Sequence, residues 1–159
     1  MFTGLIKSFV GYDENVLSET HAKEEREESA SGFAKRLITG LAAEHYFESV
    51  HPTLPEFQGF ELENTTRLGC GYDFRLSAAN CGGFLAVEVK GLRELTGRLS
   101  LTPKEYEAAA TMRNRFYLFV VKNFEKSPVH EIFPDPLSCR LEFMRSERKV
   151  IQVSWLASV

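Results

Sequence analysis

The sequence has no apolar run near the roughly 18–20 residues needed to cross a bilayer, so a membrane-spanning helix is excluded. Its start, Met1 to Gly11, is mildly apolar but carries only Lys7 as a basic residue. It lacks the basic start, long apolar core and small-residue cleavage site of a secretory signal, and the chain is expected in the cytoplasm. Cysteine is scarce: Cys70, Cys81 and Cys139 are odd in number and form no CxxC pair. None stands at metal-ligand spacing from a histidine, which excludes a disulfide framework and a structural zinc site. They read as small, partly buried thiols. Internal repeats and low-complexity tracts are missing as well. So is a basic excess: the net charge is −3, which does not mark a nucleic-acid binder. Local field counts for more than the total, however. The acidity is concentrated between Glu19 and Glu28, where five glutamates face Lys23 and Arg26.

What is present suits one domain with a core, at 159 residues and 43% hydrophobic content. Residues 1–28 show no sustained periodicity and read as an acidic lead-in or linker, leaving 29–159 as the domain. A helix capped by Ser29 or Ser31 is expected to run to about Val50. Ala34, Leu37, Ile38 and Leu41 recur on it at helical spacing, and Glu44 falls on the same stripe. If that stripe is buried, Glu44 needs a partner or a metal; if the helix is rotated, Glu44 faces water. His51-Pro52 stops the helix. Strands are expected over Phe60–Thr65, Tyr72–Leu76 and Phe84–Lys90, the last two forming a hairpin through the turn Asn80-Cys81-Gly82-Gly83. Thr102-Pro103-Lys104-Glu105 spells a capping box for a helix to about Met112. Phe116–Val121 reads as a buried strand and Ser127–Pro136 as proline-broken loop. Arg140–Phe143 and Val150–Leu156 are weaker strands, with Trp155 in the core. This order implies an α/β fold, a mixed sheet of about four to six strands flanked by helices.

The strand Phe84–Lys90 carries the chemistry. Its alternation sends Leu85, Val87 and Val89 to one face and Ala86, Glu88 and Lys90 to the other. A carboxylate and an ammonium at the end of an apolar strand require something to meet them. Asp73, fifteen positions before Glu88, lies on the hairpin partner and can come beside it. Two adjacent carboxylates repel unless a cation joins them. Mg²⁺ suits the pair, since it takes oxygen ligands and keeps several waters; Mn²⁺ can substitute. The backbone carbonyl of Val89 is placed as a further ligand. Such an ion would acidify a water and stabilise charge on phosphoryl oxygens. Lys90 would hold the hydroxide or, with a depressed pKa, act as base. Glu-x-Lys alone is common as an exposed ion pair. The upstream Asp73, the apolar alternation and the helix bearing Glu44 sharpen the signal.

The stretches Gly71-Tyr72-Asp73-Phe74, Val87-Glu88-Val89-Lys90-Gly91, Leu101 to Tyr106 with Ala108-Ala109, and Tyr117 to Val121 together resemble the NO VEIN carboxy-terminal-type domain. That family is grouped with Mrr-like members of the PD-(D/E)xK restriction-endonuclease superfamily, and the resemblance covers roughly Ser29 to Leu137. It implies a restriction-endonuclease-like α/β/α core, with Asp73 and Glu88 as metal ligands and Lys90 as catalytic lysine. Glu44 matches a glutamate that often joins the site from the first core helix. The sequence departs from the pattern in having Tyr72, not proline, before Asp73. The resemblance further implies Mg²⁺-dependent cleavage of DNA, in restriction or anti-phage defence, with a helicase or other ATPase module as partner. Arg67, Arg93, Arg98, Lys104, Arg113 and Arg115 are the candidates to grip DNA phosphates. Cutting both strands of a duplex needs two sites, which a homodimer would supply, although no residue pattern marks an interface.

Two other readings stand beside the nuclease. One keeps the fold without the activity, as a nucleic-acid-binding or regulatory module; the negative charge favours it and the intact triad opposes it. The other is a protein-interaction domain using the acidic lead-in and the aromatics. Thirteen phenylalanines are many for this length, but the core strands account for most.

Overall fold

The computed structural model describes residues 35–79, 82–124 and 126–147, together with residues 32, 155 and 157. The lead-in 1–28, the caps Ser29 and Ser31, Ala34, Asn80-Cys81 and most of Val150–Leu156 lie outside the described residues. Among the described residues, five strands make one mixed sheet in the order β1 (Glu61–Asn64), β2 (Phe74–Ser77), β3 (Phe84–Gly91), β4 (Phe116–Lys122), β5 (Val129–Pro134). The pairs β1–β2, β2–β3 and β4–β5 are antiparallel, and β3–β4 is parallel. Antiparallel neighbours can follow short turns, but the parallel pair needs a crossover. Helix α2 (Pro103–Met112) supplies it, so its first turn comes back to the end of the sheet where β3 finishes. The other helix, α1, occupies residues 35–50.

The pleat divides the side chains as the alternation requires. Val87, Val89, Phe119, Val121, Phe74 and Leu76 meet Ala43 and Phe47 of α1 on one face. Ala86 and Phe116 meet Ala109 of α2 on the other. Farther along that second face, Leu118, Val120 and Phe133 are covered by loop residues such as Leu99, Leu101 and Leu141. The molecule is thus an α/β sandwich with a helix on each side of the sheet, the fold class expected.

Three details needed the structure: one the sequence reading left open and two it read differently. The stripe on α1 is not buried: Leu37, Ile38 and Leu41 are 54%, 66% and 49% exposed, while Ala43 and Phe47 are fully buried. Phe47 decides the rotation, because its ring packs against Phe57, Phe74 and Phe119 at once. A small face on the helix then lets the backbone close in. A Cβ on Gly91 would lie 2.7 Å from the Thr39 carbonyl oxygen and 3.1 Å from Ala43 Cβ, so glycine is what permits α1 to cross the end of β3.

The second detail is β5, which occupies the segment read as loop. Among the described residues it pairs only with β4, as an edge strand, and an edge tolerates Pro134 because one side of its backbone has no ladder to complete. Its polar residues His130 and Glu131 hid the alternation. His130 nevertheless stacks on Phe119 at 4.9 Å and accepts or donates to the Tyr46 hydroxyl at 3.1 Å. Third, residues 141–147 form no strand, and Trp155 is 90% exposed and not in the core.

Candidate active site

Asp73 stands one residue before β2, and its backbone is fixed on both sides. Its N–H donates to the Val87 carbonyl at 3.0 Å, and its own carbonyl accepts the Thr65 N–H at 2.7 Å. Thr65 is buried, and its hydroxyl holds the Tyr72 carbonyl at 3.1 Å. The register ends at Phe74 opposite Val87, and just beyond it the Asp73 carboxylate lies close enough to Glu88 for its charge to act there. Where the β2–β3 ladder stops, the Asp73 carboxylate replaces a backbone acceptor and takes the Val89 N–H at 2.9 Å. A strand residue directs its N–H and C=O to the same side. The Val89 carbonyl therefore faces the gap beyond β2 that Asp73 borders.

Lys90 follows on the same face as Glu88. Its Nζ lies 2.6 Å from Glu88 Oε1 and 2.8 Å from Glu105 Oε2. Glu105 is the site residue that the sequence reading missed. The signal was present, since Glu105 closes the capping box of α2: Thr102 N–H donates to Glu105 Oε2 at 2.8 Å and Glu105 N–H to Thr102 Oγ1 at 3.4 Å. What the motif did not show is that the crossover carries this first turn back onto the end of β3.

The approach of α2 to the Asp73 loop depends on Gly71. It has φ of +89°, and a Cβ there would fall 2.6 Å from the Lys104 carbonyl oxygen. Between these elements lies a cavity of about 140 Å³, lined by Asp73, Glu88, Glu105, Tyr72, Thr102 and Lys104 among others. At about 30 Å³ per liquid water, it has room for an ion and several waters.

The charges are strained by burial. Glu88 is pushed up to about 9, first by burial and then by the Asp73 charge, with the Lys90 ammonium opposing. Burial likewise raises Asp73, against the Val89 N–H and Lys90. For Lys90 burial acts downward, but Glu88 and Glu105 outweigh it and hold the ammonium above its ordinary range. Glu105 is lowered: burial raises it, but hydrogen bonds from Lys90 and the Thr102 N–H prevail. Two carboxylates that resist ionising together, beside an open cavity, are a site suited to a cation.

Glu44 is half-buried on α1 and raised by burial and then by Asp73, so its carboxyl lies within that residue's field. It lines a separate groove of about 670 Å³ with Glu48, Glu63 and Arg67. Among the described residues, no three His, Cys, Asp or Glu side chains already stand as a coordination cluster. Asp73, Glu88 and the Val89 carbonyl are therefore the nearer donor set, and one or two carboxylates suffice for Mg²⁺.

The six basic candidates do not form one surface. Lys104 lines the cavity itself. Arg93 and Arg98 are exposed in the segment after β3, at the same end of the sheet as Lys90. Arg67 lines the groove beside α1. Arg113 and Arg115 precede β4 and so lie toward the other end of the parallel pair. Arg113 is moreover tied to Ser138 at 2.7 Å and Asp135 at 3.5 Å. No helix among the described residues is long and apolar enough to cross a membrane, and Cys70 and Cys139 are free thiols.

The family model described as Protein NO VEIN, C-terminal, matches residues 43–133, which takes in every strand and both helices at least in part. No curated protein and no solved structure matches the chain.

Proposed function

The chain belongs to the NO VEIN, C-terminal family, and we propose that it is a Mg²⁺-dependent nuclease of the PD-(D/E)xK type that hydrolyses DNA phosphodiester bonds. One observation carries the reading. Asp73 at the start of β2 and Glu88 on β3 are both raised by burial, Glu88 further by the Asp73 charge, with the Lys90 ammonium beside Glu88 and a cavity in front.

The donor set fits a hard cation: two carboxylates and the Val89 carbonyl would hold it, leaving the remaining positions to water and a phosphate oxygen. When bound, the ion supplies positive charge against the phosphoryl oxygens and acidifies a water. Lys90, kept cationic by its two carboxylates, holds the attacking oxygen and is not the group that takes its proton. The water oxygen bonds to phosphorus, the bond from phosphorus to the leaving sugar oxygen breaks, the water proton passes to solvent, and a solvent water protonates the leaving oxygen. Lys104, on the cavity wall, is the residue best placed to meet a neighbouring phosphate. Arg93 and Arg98 extend positive charge along the same end of the sheet. A DNA substrate goes with work in the cytoplasm, in restriction or defence, beside an ATPase module or as a homodimer that cuts both strands.

The test is cleavage of plasmid and single-stranded DNA with Mg²⁺ or Mn²⁺, alongside Asp73→Ala and Lys90→Ala. Metal-dependent cleavage that both variants lose while still folding supports the reading. Equal cleavage by Lys90→Ala sinks it. Duplex binding without cleavage would favour the regulatory module of the same fold.

A further inference from the structure

A capping box requires only a hydrogen-bond acceptor at its last position, and glutamine serves there as well as glutamate. The charge of Glu105 is therefore surplus to capping α2, and the structure shows what meets it: Lys90 Nζ at 2.8 Å from the same Oε2 that accepts the Thr102 N–H. We propose that Glu105 is the positioning residue for Lys90, holding the ammonium at the end of β3 from a second element although its carboxylate also meets Glu88; the inference rests on the nuclease reading of this site.

The need for such a residue follows from the geometry. Lys90 ends on a flexible four-carbon stem, and its other partner is Glu88 Oε1 at 2.6 Å. A cation drawn to Asp73 and Glu88 competes with the ammonium for that carboxylate and repels it. A lysine anchored by Glu88 alone would swing away when the ion arrives, which is when its charge is wanted beside the attacking oxygen. Glu105 offers a counter-charge from a different element. It is fixed by the first turn of α2, which Gly71 allows to sit against the Asp73 loop. The carboxylate keeps Lys90 in place while Glu88 changes partner. Glu105 need not touch substrate or ion to do this.

The experiment uses the full chain and reads the Lys90 ammonium by ¹H–¹⁵N NMR, assigned by its disappearance in Lys90→Ala, with and without Mg²⁺. Wild-type protein is expected to show a slowly exchanging signal in both conditions. Glu105→Gln keeps the cap but loses the charge. Its ammonium protons should exchange faster without metal, and the signal should vanish with Mg²⁺. In the cleavage assay its kcat should fall by about tenfold to a hundredfold with KM little changed, as for other residues that orient a ligand or catalytic group. Thr102→Ala, which weakens the cap and leaves the charge, should melt lower yet keep Lys90 exchange at the wild-type rate. Glu107→Gln, on an exposed position of the same helix, should change neither. Wild-type exchange and kcat in Glu105→Gln would overturn the inference. If the wild-type protein neither binds Mg²⁺ by calorimetry nor cleaves, the nuclease reading fails by itself. The metal-free exchange rates then still decide whether Glu105 holds Lys90.

Discussion

Glu88→Gln should make the metal-free protein more stable at neutral pH, although it removes half of the carboxylate pair. In the folded chain burial and the Asp73 charge push Glu88 up to about 9, against an ordinary value of 4.5 when unfolded. Below about pH 4.5 both states carry the proton, and Glu88 has no effect on stability. Between 4.5 and about 9 the unfolded chain gives up the proton while the folded chain keeps it, so stability falls as pH rises. From 4.5 to pH 7, at about 1.36 kcal/mol per pH unit, the loss reaches about 3 kcal/mol. Gln cannot titrate, so that penalty disappears. Its amide oxygen can still accept from Lys90, though less strongly than a carboxylate, which makes about 3 kcal/mol a ceiling. For a chain of this length the gain corresponds to about 6–12 °C in Tm. Urea unfolding followed by circular dichroism at several pH values would measure it. The wild-type stability should decline towards alkaline pH, and the variant should decline less, with Asp73 responsible for the remaining slope. Adding Mg²⁺ should stabilise the wild type and leave the variant nearly unchanged. A Glu88→Gln protein less stable than wild type at pH 7, or one with a parallel pH slope, would refute the claim that burial strains this carboxylate.

Phe47→Ala should cost about 3–5 kcal/mol in chemical unfolding, because a fully buried ring contacting three other aromatics is deleted. Gly71→Ala should lose about 1–3 kcal/mol through its positive φ alone, and cleavage more steeply, since the added methyl pushes α2 off the Asp73 loop. The single Trp155 should emit as a water-exposed indole and be quenched by iodide in the native state; a blue-shifted, protected emission would contradict its placement. Removal of residues 1–28 should leave a folded domain with cooperative melting, and an insoluble product would show that the domain begins earlier.

Strand periodicity was the most legible part of the molecule. Phe84–Gly91 is a central strand whose two faces, and the shared face of Glu88 and Lys90, could be read directly, while Phe116–Lys122 was legible as a buried strand by its unbroken apolar run. The hairpin brought Asp73 beside Glu88 for the same reason: a pleat and a register leave little freedom once the turn is known. Helix α1 stayed undecided under the same treatment. Leu37, Ile38 and Leu41 are as apolar as Ala43, Tyr46, Phe47 and Val50, and hydrophobicity alone offers two stripes. The choice is made by size, because a large ring fills the hollow of the sheet and small residues let the backbone reach Gly91. β5 was hidden by the opposite problem: its edge position relaxes the demand for apolar residues and for an N–H at Pro134.

Glu105 shows where local motifs stop informing. The capping box predicted its helix, its backbone partners and its place in the first turn, and all of these hold. Its charge could be interpreted only through the parallel pairing of β3 with β4, which forces the intervening helix to begin where β3 ends. A residue that looks like part of the helix's own chemistry thus becomes part of the chemistry of the sheet. The same logic separates the basic residues: Lys104 shares the first turn with Glu105 and lines the cavity, whereas Arg113, at the far end of the same helix, is bound to Asp135 and Ser138. Sequence distance from the Glu-x-Lys motif is therefore a poor guide to membership of the site, and position along the crossover is the better one.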